Sequence, residues 1–356
     1  MRYLKYLDIH GFPIRKTPDS KIKLLKQEKI YLFSKFKRRF DVCLSLPTFD
    51  LIKNFYNDKI LEEYYLDKLR TVKLFFSFKI HFKLLAVLNY FIFPKKIINL
   101  NNADIVLFGP YSQNYSHALH EFFTRLIYLK KKNKKFNVFL PKTLKKILSS
   151  KTYKLIFSKK NFNFKFFDTD TDIEFRNCNY LTHSNNRWVI KGKKKKISDE
   201  YKYLLNELRK EVTNNKISGQ NKSNAEYIFV SRSNALSRRL LNEDELFNQL
   251  KKYGFKKVFF ENLSYEKQVE LSMNCKIMIG YHGAGLTNLI FMKKKSYLIE
   301  IYNKHYEHEL FKLFSMCQKI KYKNFQCKEN KKNLDGVCDI QEVKDYIINI
   351  KRKTKN

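Results

Sequence analysis

Three groups of residues in this chain have the types and spacing to do chemistry. The stretch "IMIGYHGAGLTNLIFM", Ile277–Met292, puts Gly280, Gly283 and Gly285 within six positions of a chain that holds only nine glycines. Around Gly283-Ala284-Gly285 a ligand can approach the main chain. His282 can donate to a phosphate oxygen, and Thr287 and Asn288 can cap a helix or reach the ligand. The second group, "VSRSNALSRR", carries Ser231, Arg232, Arg238 and Arg239. Guanidinium forks of this kind grip phosphate oxygens in pairs. The third, "NYSHALHEFFTRL", sets His117 and Glu121 four apart, hence on one helical face. A carboxylate with a histidine beside it can take the proton of an attacking hydroxyl. Each group also has a plainer reading: a tight turn with a packed histidine, a solvated basic loop, and a helix capped by Asn114. His120 is expected to face elsewhere.

The elements that must position these residues alternate. An apolar run at Ala103–Pro110 predicts a buried strand, 116–131 a helix, and Asn137–Pro141 a second strand. Further on, Glu226–Ser231 predicts a strand, and a helix runs from Asn242 with acids in its first turn and Gly254 beyond its end. Lys256–Glu261 is a strand, Ser264 caps a helix, "KIMIG" is a strand, "LTNLIFM" opens a helix, and Tyr297–Ile301 is a strand. Short apolar strands separated by helices imply βαβ units and a parallel sheet. Gly280 then closes a strand at the carboxyl edge of that sheet, where open α/β folds bind ligands. The helix that follows offers unpaired N–H groups and a partial positive charge to a phosphate. The glycine string matches neither the dinucleotide-binding fingerprint nor a Walker loop.

Composition bounds the rest. At 356 residues the chain exceeds one core, so two domains are expected. The expected division is a mostly helical N-terminal region (1–100), a first Rossmann-like domain on the acceptor side (101–190) and a linker or helix (191–225). A second Rossmann-like domain binding the nucleotide follows (226–335), then a C-terminal helix and basic tail (336–356). "RWVIKGKKKKISDEYK" reads as linker or exposed turn. The formal charge of +38 suggests an anionic partner, although AT-rich codon usage produces the same excess of Lys beside Asn, Ile, Phe and Tyr. Six cysteines (Cys43, Cys178, Cys275, Cys317, Cys327, Cys338) are scattered without a C-x-x-C pair, which argues against a zinc ribbon or disulfide framework and fits a reducing compartment. The first residues lack the apolar run and cleavage site of a secretory signal. Lys79, His81 and Lys83 interrupt the most apolar window, Leu74–Pro94, so it reads as a buried or interfacial helix with peripheral contact to an anionic membrane face as a candidate role.

In order and spacing, "YIFVSRSNALSRRLLNEDEL" followed by "FENLSYEKQVELSMNCKIMIGYHGAGLTNLIFMKKKSYLIEIY" resembles the catalytic domain of glycosyltransferase family 61. That family has a strand ending in Ser-Arg, an arginine-rich turn before Asn-Glu, a helix leading to G-x-HGAGLTN, and an acid in the next strand, here Glu300. The resemblance recurs at Asn114–Leu126, with Glu121 where the family more often has aspartate. It implies an α/β, GT-B-like architecture of two Rossmann-like domains facing a cleft, inversion at the sugar carbon, and no essential metal or cofactor. The donor would be a nucleotide sugar, a UDP-sugar first, and the acceptor a glycan or lipid-linked. Glu121 is the expected base, with His117 orienting. Asn114, Ser231, Arg232, Arg238, Arg239, His282, Gly283, Ala284, Gly285, Asn288 and Glu300 are the expected donor shell. The AT-rich composition and the missing signal, rather than the resemblance, suggest a bacterial cytoplasmic enzyme making surface polysaccharide. Two rivals stand beside it. "DTDTD", Asp168–Asp172, offers the letters of a metal-dependent GT-A site, and lysine runs with 16% aromatic residues suggest a nucleic-acid binder. No RNP, KH, helix-turn-helix or zinc pattern supports the latter.

Overall fold

The computed structural model describes residues 22, 24–33, 42–46, 50–51, 91–92, 94–108, 112–181, 188–191, 194–214, 225–303, 309–329 and 333–355. The chain divides into two compact units, Met1–Leu208 and Arg209–Asn356.

In the first unit, β1 (Leu24–Phe33), β2 (Val42–Leu46) and β3 (Asp50–Leu51) form an antiparallel extension. It joins a parallel group: β4 (Lys96–Asn99), β5 (Ile105–Val106), β6 (Phe136–Pro141), β7 (Phe162–Phe167) and β8 (Ile173–Leu181). The order is β3-β2-β1-β8-β5-β6-β7, with β4 also on β8. Residues 1–100, expected to be mostly helical, are thus mostly strand where they are described. Ile30 and Leu32 are buried while Lys29, the neighbour of Ile30, is only half-buried, in keeping with the period of two that a strand demands. The Leu74–Pro94 window lies largely outside the described residues. Helix α1 (Tyr115–His117) passes through a π-helical turn, Ala118–Phe123, into α2 (Thr124–Lys130). Short helices α3 (Lys145–Leu148) and α4 (Lys151–Ile156) link β6 to β7. The expected linker is instead a hairpin, β9 (Trp188–Lys191) with β10 (Lys194–Ile197), before α5 (Asp199–Asn214). Trp188, Val189 and Ile190 supply the β propensity that its lysines obscure.

The second unit is more regular. β11 (Tyr227–Val230), α6 (Glu243–Lys251), β12 (Phe255–Val258), α7 (Tyr265–Asn274), β13 (Ile277–Tyr281) and β14 (Tyr297–Asn303) follow in turn. Then come α8 (Leu310–Gln318), β15 (Lys321–Glu329), β16 (Gly336–Val337) and α9 (Ile340–Lys355). The sheet order is β12-β11-β13-β14-β15-β16, parallel except for β16. Counted from β11, the parallel strands read 2-1-3-4-5, a doubly wound order whose switch point lies between the first and third strands. Those strands are β11 and β13. As expected, Ser264 caps α7, its hydroxyl accepting from the Lys267 amide at 3.2 Å. The helix expected at Leu286–Met292 is instead a 3₁₀ helix, Ala284–Phe291.

Candidate active site

In the first unit the site residues sit on the helical run 115–130. Asn114 caps it: its side-chain oxygen accepts from the Ser116 amide at 2.9 Å. A donor-binding role for Asn114 therefore competes with capping. His117 Nδ1 lies 2.9 Å from Glu121 Oε1 on the shared face expected of residues four apart. The π turn widens the helix here, a feature frequent at functional sites. Side chains take the carbonyls it frees. The Thr124 hydroxyl donates to His120 O at 2.8 Å, and Arg125 Nε donates to Glu121 O at 3.0 Å. Arg125 is fully buried, and its other nitrogens donate to Leu181 O (3.3 Å) and Phe108 O (3.1 Å). Those carbonyls lie at the carboxyl ends of β8 and β5, so one guanidinium pins the helix to the edge where α/β sheets bind ligands. Burial pushes the Arg125 pKa down, against the opposing fields of Tyr180 and Glu121.

His120 corrects an expectation. It is buried, its ring centroid is 5.2 Å from that of His117, and ligand atoms of His117, His120 and Glu121 all lie within 4.8 Å of one another. Among the described residues this is the only histidine, cysteine and carboxylate grouping with the reach to hold a metal ion. Asp168–Asp172 is not such a group: it forms the turn between β7 and β8, where half-exposed Asp168 pairs with Lys142 at 3.1 Å.

In the second unit the site is built at the switch point. Val230 on β11 pairs with Gly280 on β13, so Ser231-Arg232 and His282-Gly283 emerge side by side at the carboxyl edge. A Cβ on Gly280 would meet the Val230 carbonyl oxygen at 2.8 Å, so this glycine serves close strand packing. A Cβ on Gly283 would lie 2.0 Å from Arg232 Nη1. The Arg232 guanidinium thus occupies the space that the sequence assigns to an approaching ligand. Nε and Nη2 of Arg232 donate to the carbonyls of Arg238 (3.1 Å) and Ser237 (3.2 Å). Arg238 itself has φ 57°, a left-handed conformation costly for a side chain with a Cβ.

Several expected donor ligands are engaged inside the protein. Ser231 Oγ donates to Glu243 Oε1 at 2.5 Å, while the other oxygen of Glu243 takes the Arg232 amide at 3.1 Å. Arg239 is held by buried Asp335, through its amide (2.8 Å), Nε (3.2 Å) and Nη2 (2.9 Å). Asn288 is fully buried and donates to Gln268 Oε1 and Gly285 O, both at 3.1 Å, locking α7 to the 3₁₀ helix. Glu300 faces the interior beside His282: the His282 Nδ1 and Glu300 Oε1 atoms share a short hydrogen bond, and Tyr322 Oη donates to Glu300 Oε2 at 2.5 Å. Ala284 and Gly285 are half-buried at the start of the 3₁₀ helix. Glu243, Asp335, Gln268, Tyr322 and Arg125 were missed as site-shaping residues. Glu243, Gln268 and Arg125 fall within the motif strings, but no spacing rule singles them out.

An open parallel sheet with a cationic, glycine-lined edge at its switch point defines an α/β protein suited to phosphorylated ligands. The family model Glycosyltransferase 61 matches residues 115–299, just over half of the chain, and the chain belongs to that family. The chain is also similar to the EGF domain-specific O-linked N-acetylglucosamine transferase of Drosophila melanogaster, 42% identical over 69 residues. The same-named proteins of Gallus gallus and Mus musculus are 37% and 38% identical over 71 residues. These matches cover 18% of this chain, and 13% of the fly, 13% of the chicken and 14% of the mouse protein. Among the described residues no helix is long and apolar enough to cross a membrane.

Proposed function

We propose that this chain is an inverting glycosyltransferase that moves a sugar from a nucleotide-sugar donor to a hydroxyl of a glycan or lipid-linked acceptor, without a metal. The observation that carries the reading is the Arg232 guanidinium seated on Gly283 at the β11/β13 edge, beside His282. Glu121 takes the acceptor's proton, the freed oxygen attacks the anomeric carbon, and the bond to the diphosphate breaks on the opposite face. Charge then gathers on the leaving phosphate. In an enzyme lacking a metal, preorganised cations and N–H dipoles must meet that charge. Arg232, Arg238, His282 and the amides that open the 3₁₀ helix are the groups available for it. A GT-B pairing of the two units, a cytoplasmic setting at an anionic membrane face, and a role in bacterial surface polysaccharide complete the proposal.

A nucleotide-sugar panel read by thermal stabilisation tests it, because a ligand bound only by the folded state raises stability by mass action. The names of the relatives put UDP-N-acetylglucosamine first. Stabilisation by a UDP-sugar, undiminished in EDTA, is the expected result. No stabilisation by any nucleotide sugar sinks the reading, and turnover that needs added manganese sinks its metal-free form.

A further inference from the structure

Histidines at i and i+3 with a glutamate at i+4 put three ligating atoms on one side of a helix, and the π turn draws them into one cluster. We propose that His117, His120 and Glu121 form a binding site for a zinc-like divalent transition ion, and that occupation of the site inhibits the enzyme. The chemistry of the set is specific. Two imidazoles and a carboxylate suit zinc and its neighbours rather than magnesium or calcium, which seek oxygen ligands. The geometry is near what such an ion needs. A tetrahedral ion with bonds of about 2.0–2.1 Å holds its ligands roughly 3.3 Å apart. His117 and Glu121 already stand at 2.9 Å, and no pair of ligand atoms in the cluster exceeds 4.8 Å.

The surroundings set both the strength and the consequence. His120 and Glu121 are buried and His117 is 14% exposed, so an ion enters past the His117 ring. Arg125 opposes it, since its guanidinium is held on the Glu121 carbonyl. The Glu121 carboxylate offsets that charge, and three ligands on one helix point to reversible binding rather than a closed structural zinc site. Binding requires the ring nitrogens and the carboxylate as electron-pair donors. An ion on Glu121 therefore removes the group that would accept the acceptor's proton. The inhibition rests on the proposed role of Glu121; the binding does not.

Calorimetry of chelator-treated protein with zinc alone tests the binding. One Zn²⁺ per chain is expected, with His120→Gln weakening it by about tenfold or more, as loss of a ligand or its support does elsewhere. His120 has no part in the proposed reaction, so His120→Gln should keep its turnover in EDTA while losing its sensitivity to zinc. Cobalt substitution needs no variant: the wild-type spectrum should show nitrogen and oxygen coordination with no thiolate charge-transfer band. Equal zinc affinity in wild type and His120→Gln, or a thiolate band, overturns the site. Zinc binding without inhibition leaves the site standing and removes Glu121 as the base.

Discussion

The Arg232 guanidinium lies where a side chain on residue 283 would begin: a Cβ there would be 2.0 Å from Nη1 and 2.7 Å from Cζ. Gly283 has φ −178°, an extended conformation open to any residue. Its identity is therefore set by the arginine and not by backbone strain. Arginine and glycine form one device, a cation laid flat on the main chain at the mouth of the switch point.

That coupling predicts non-additive substitutions. Gly283→Ala should displace the guanidinium and weaken donor binding almost as much as Arg232→Ala, by about 1.5–3 kcal/mol each, the range for hydrogen bonds to charged groups. The double variant should lose little more than either alone, because residues acting as a unit do not add. Calorimetry with the stabilising nucleotide sugar measures all three. Fully additive losses would show that Gly283 acts on the ligand independently of Arg232.

His282 is the second candidate phosphate ligand, and its support lies two strands away. β13, β14 and β15 align so that Tyr322 Oη holds Glu300, which holds His282 Nδ1. Tyr322→Phe removes one hydrogen bond to a buried carboxylate and should cost about 1.5–3 kcal/mol of stability. Donor affinity should fall with it, because the ring of His282 loses its anchor. Denaturation and calorimetry on the same preparation separate the two effects. Lost stability with unchanged affinity would assign Tyr322 and Glu300 to packing alone.

Arg239 shows where the sequence could not be read. Ser-Arg-Arg offers two arginines of equal promise, yet Arg239 is tied to Asp335, 96 residues later, and neither periodicity nor composition signals a pairing at that distance. Arg239→Ala should leave donor affinity unchanged and cost about 1–3 kcal/mol of stability for the weakened partner of buried Asp335. The low end applies, since Arg239 is 41% exposed and solvent screens it. The same limit governs the fold. The βαβ units of residues 226–303 were legible because apolar runs, caps and Gly254 sit within a few residues of one another. The antiparallel strands before residue 52 and the lysine-rich hairpin at 188–197 depend on pairing partners that local pattern does not name. The switch-point glycines were visible as a cluster, but the arginine that explains Gly283 required the register of β11 against β13.

Alkaline pH should erode stability through the buried thiols. Burial pushes Cys178 up to about 12 and Cys338 up to about 11, from an ordinary value of 9.0. Raised values in the folded state leave this contribution intact below pH ~9, and it is lost as pH rises toward the folded values, because only the unfolded chain ionises early. Urea midpoints should therefore fall between about pH 8 and about pH 10.5. Cys178→Ala removes one such group and should flatten the pH dependence, whatever its own cost in packing. An unchanged slope would show that Cys178 ionises freely in the folded protein.

Glu121 carries the chemistry in the proposed reaction, and its environment allows a clean test. Its main-chain oxygen is held by Arg125, and His117 Nδ1 is paired with its carboxylate, so Glu121→Gln keeps shape and anchoring while removing proton affinity. General-base catalysis contributes about 10²–10⁴-fold, and turnover should drop by a factor in that range. Donor affinity should not move, since the groups proposed for the diphosphate belong to Arg232, Arg238 and His282. Single-turnover rates alongside nucleotide-sugar calorimetry give both quantities. Near-normal turnover would move the base to another residue, with His117 next. A fall in donor affinity with intact turnover at saturation would instead make Glu121 a binding group, and the π turn a scaffold for recognition and not for proton transfer.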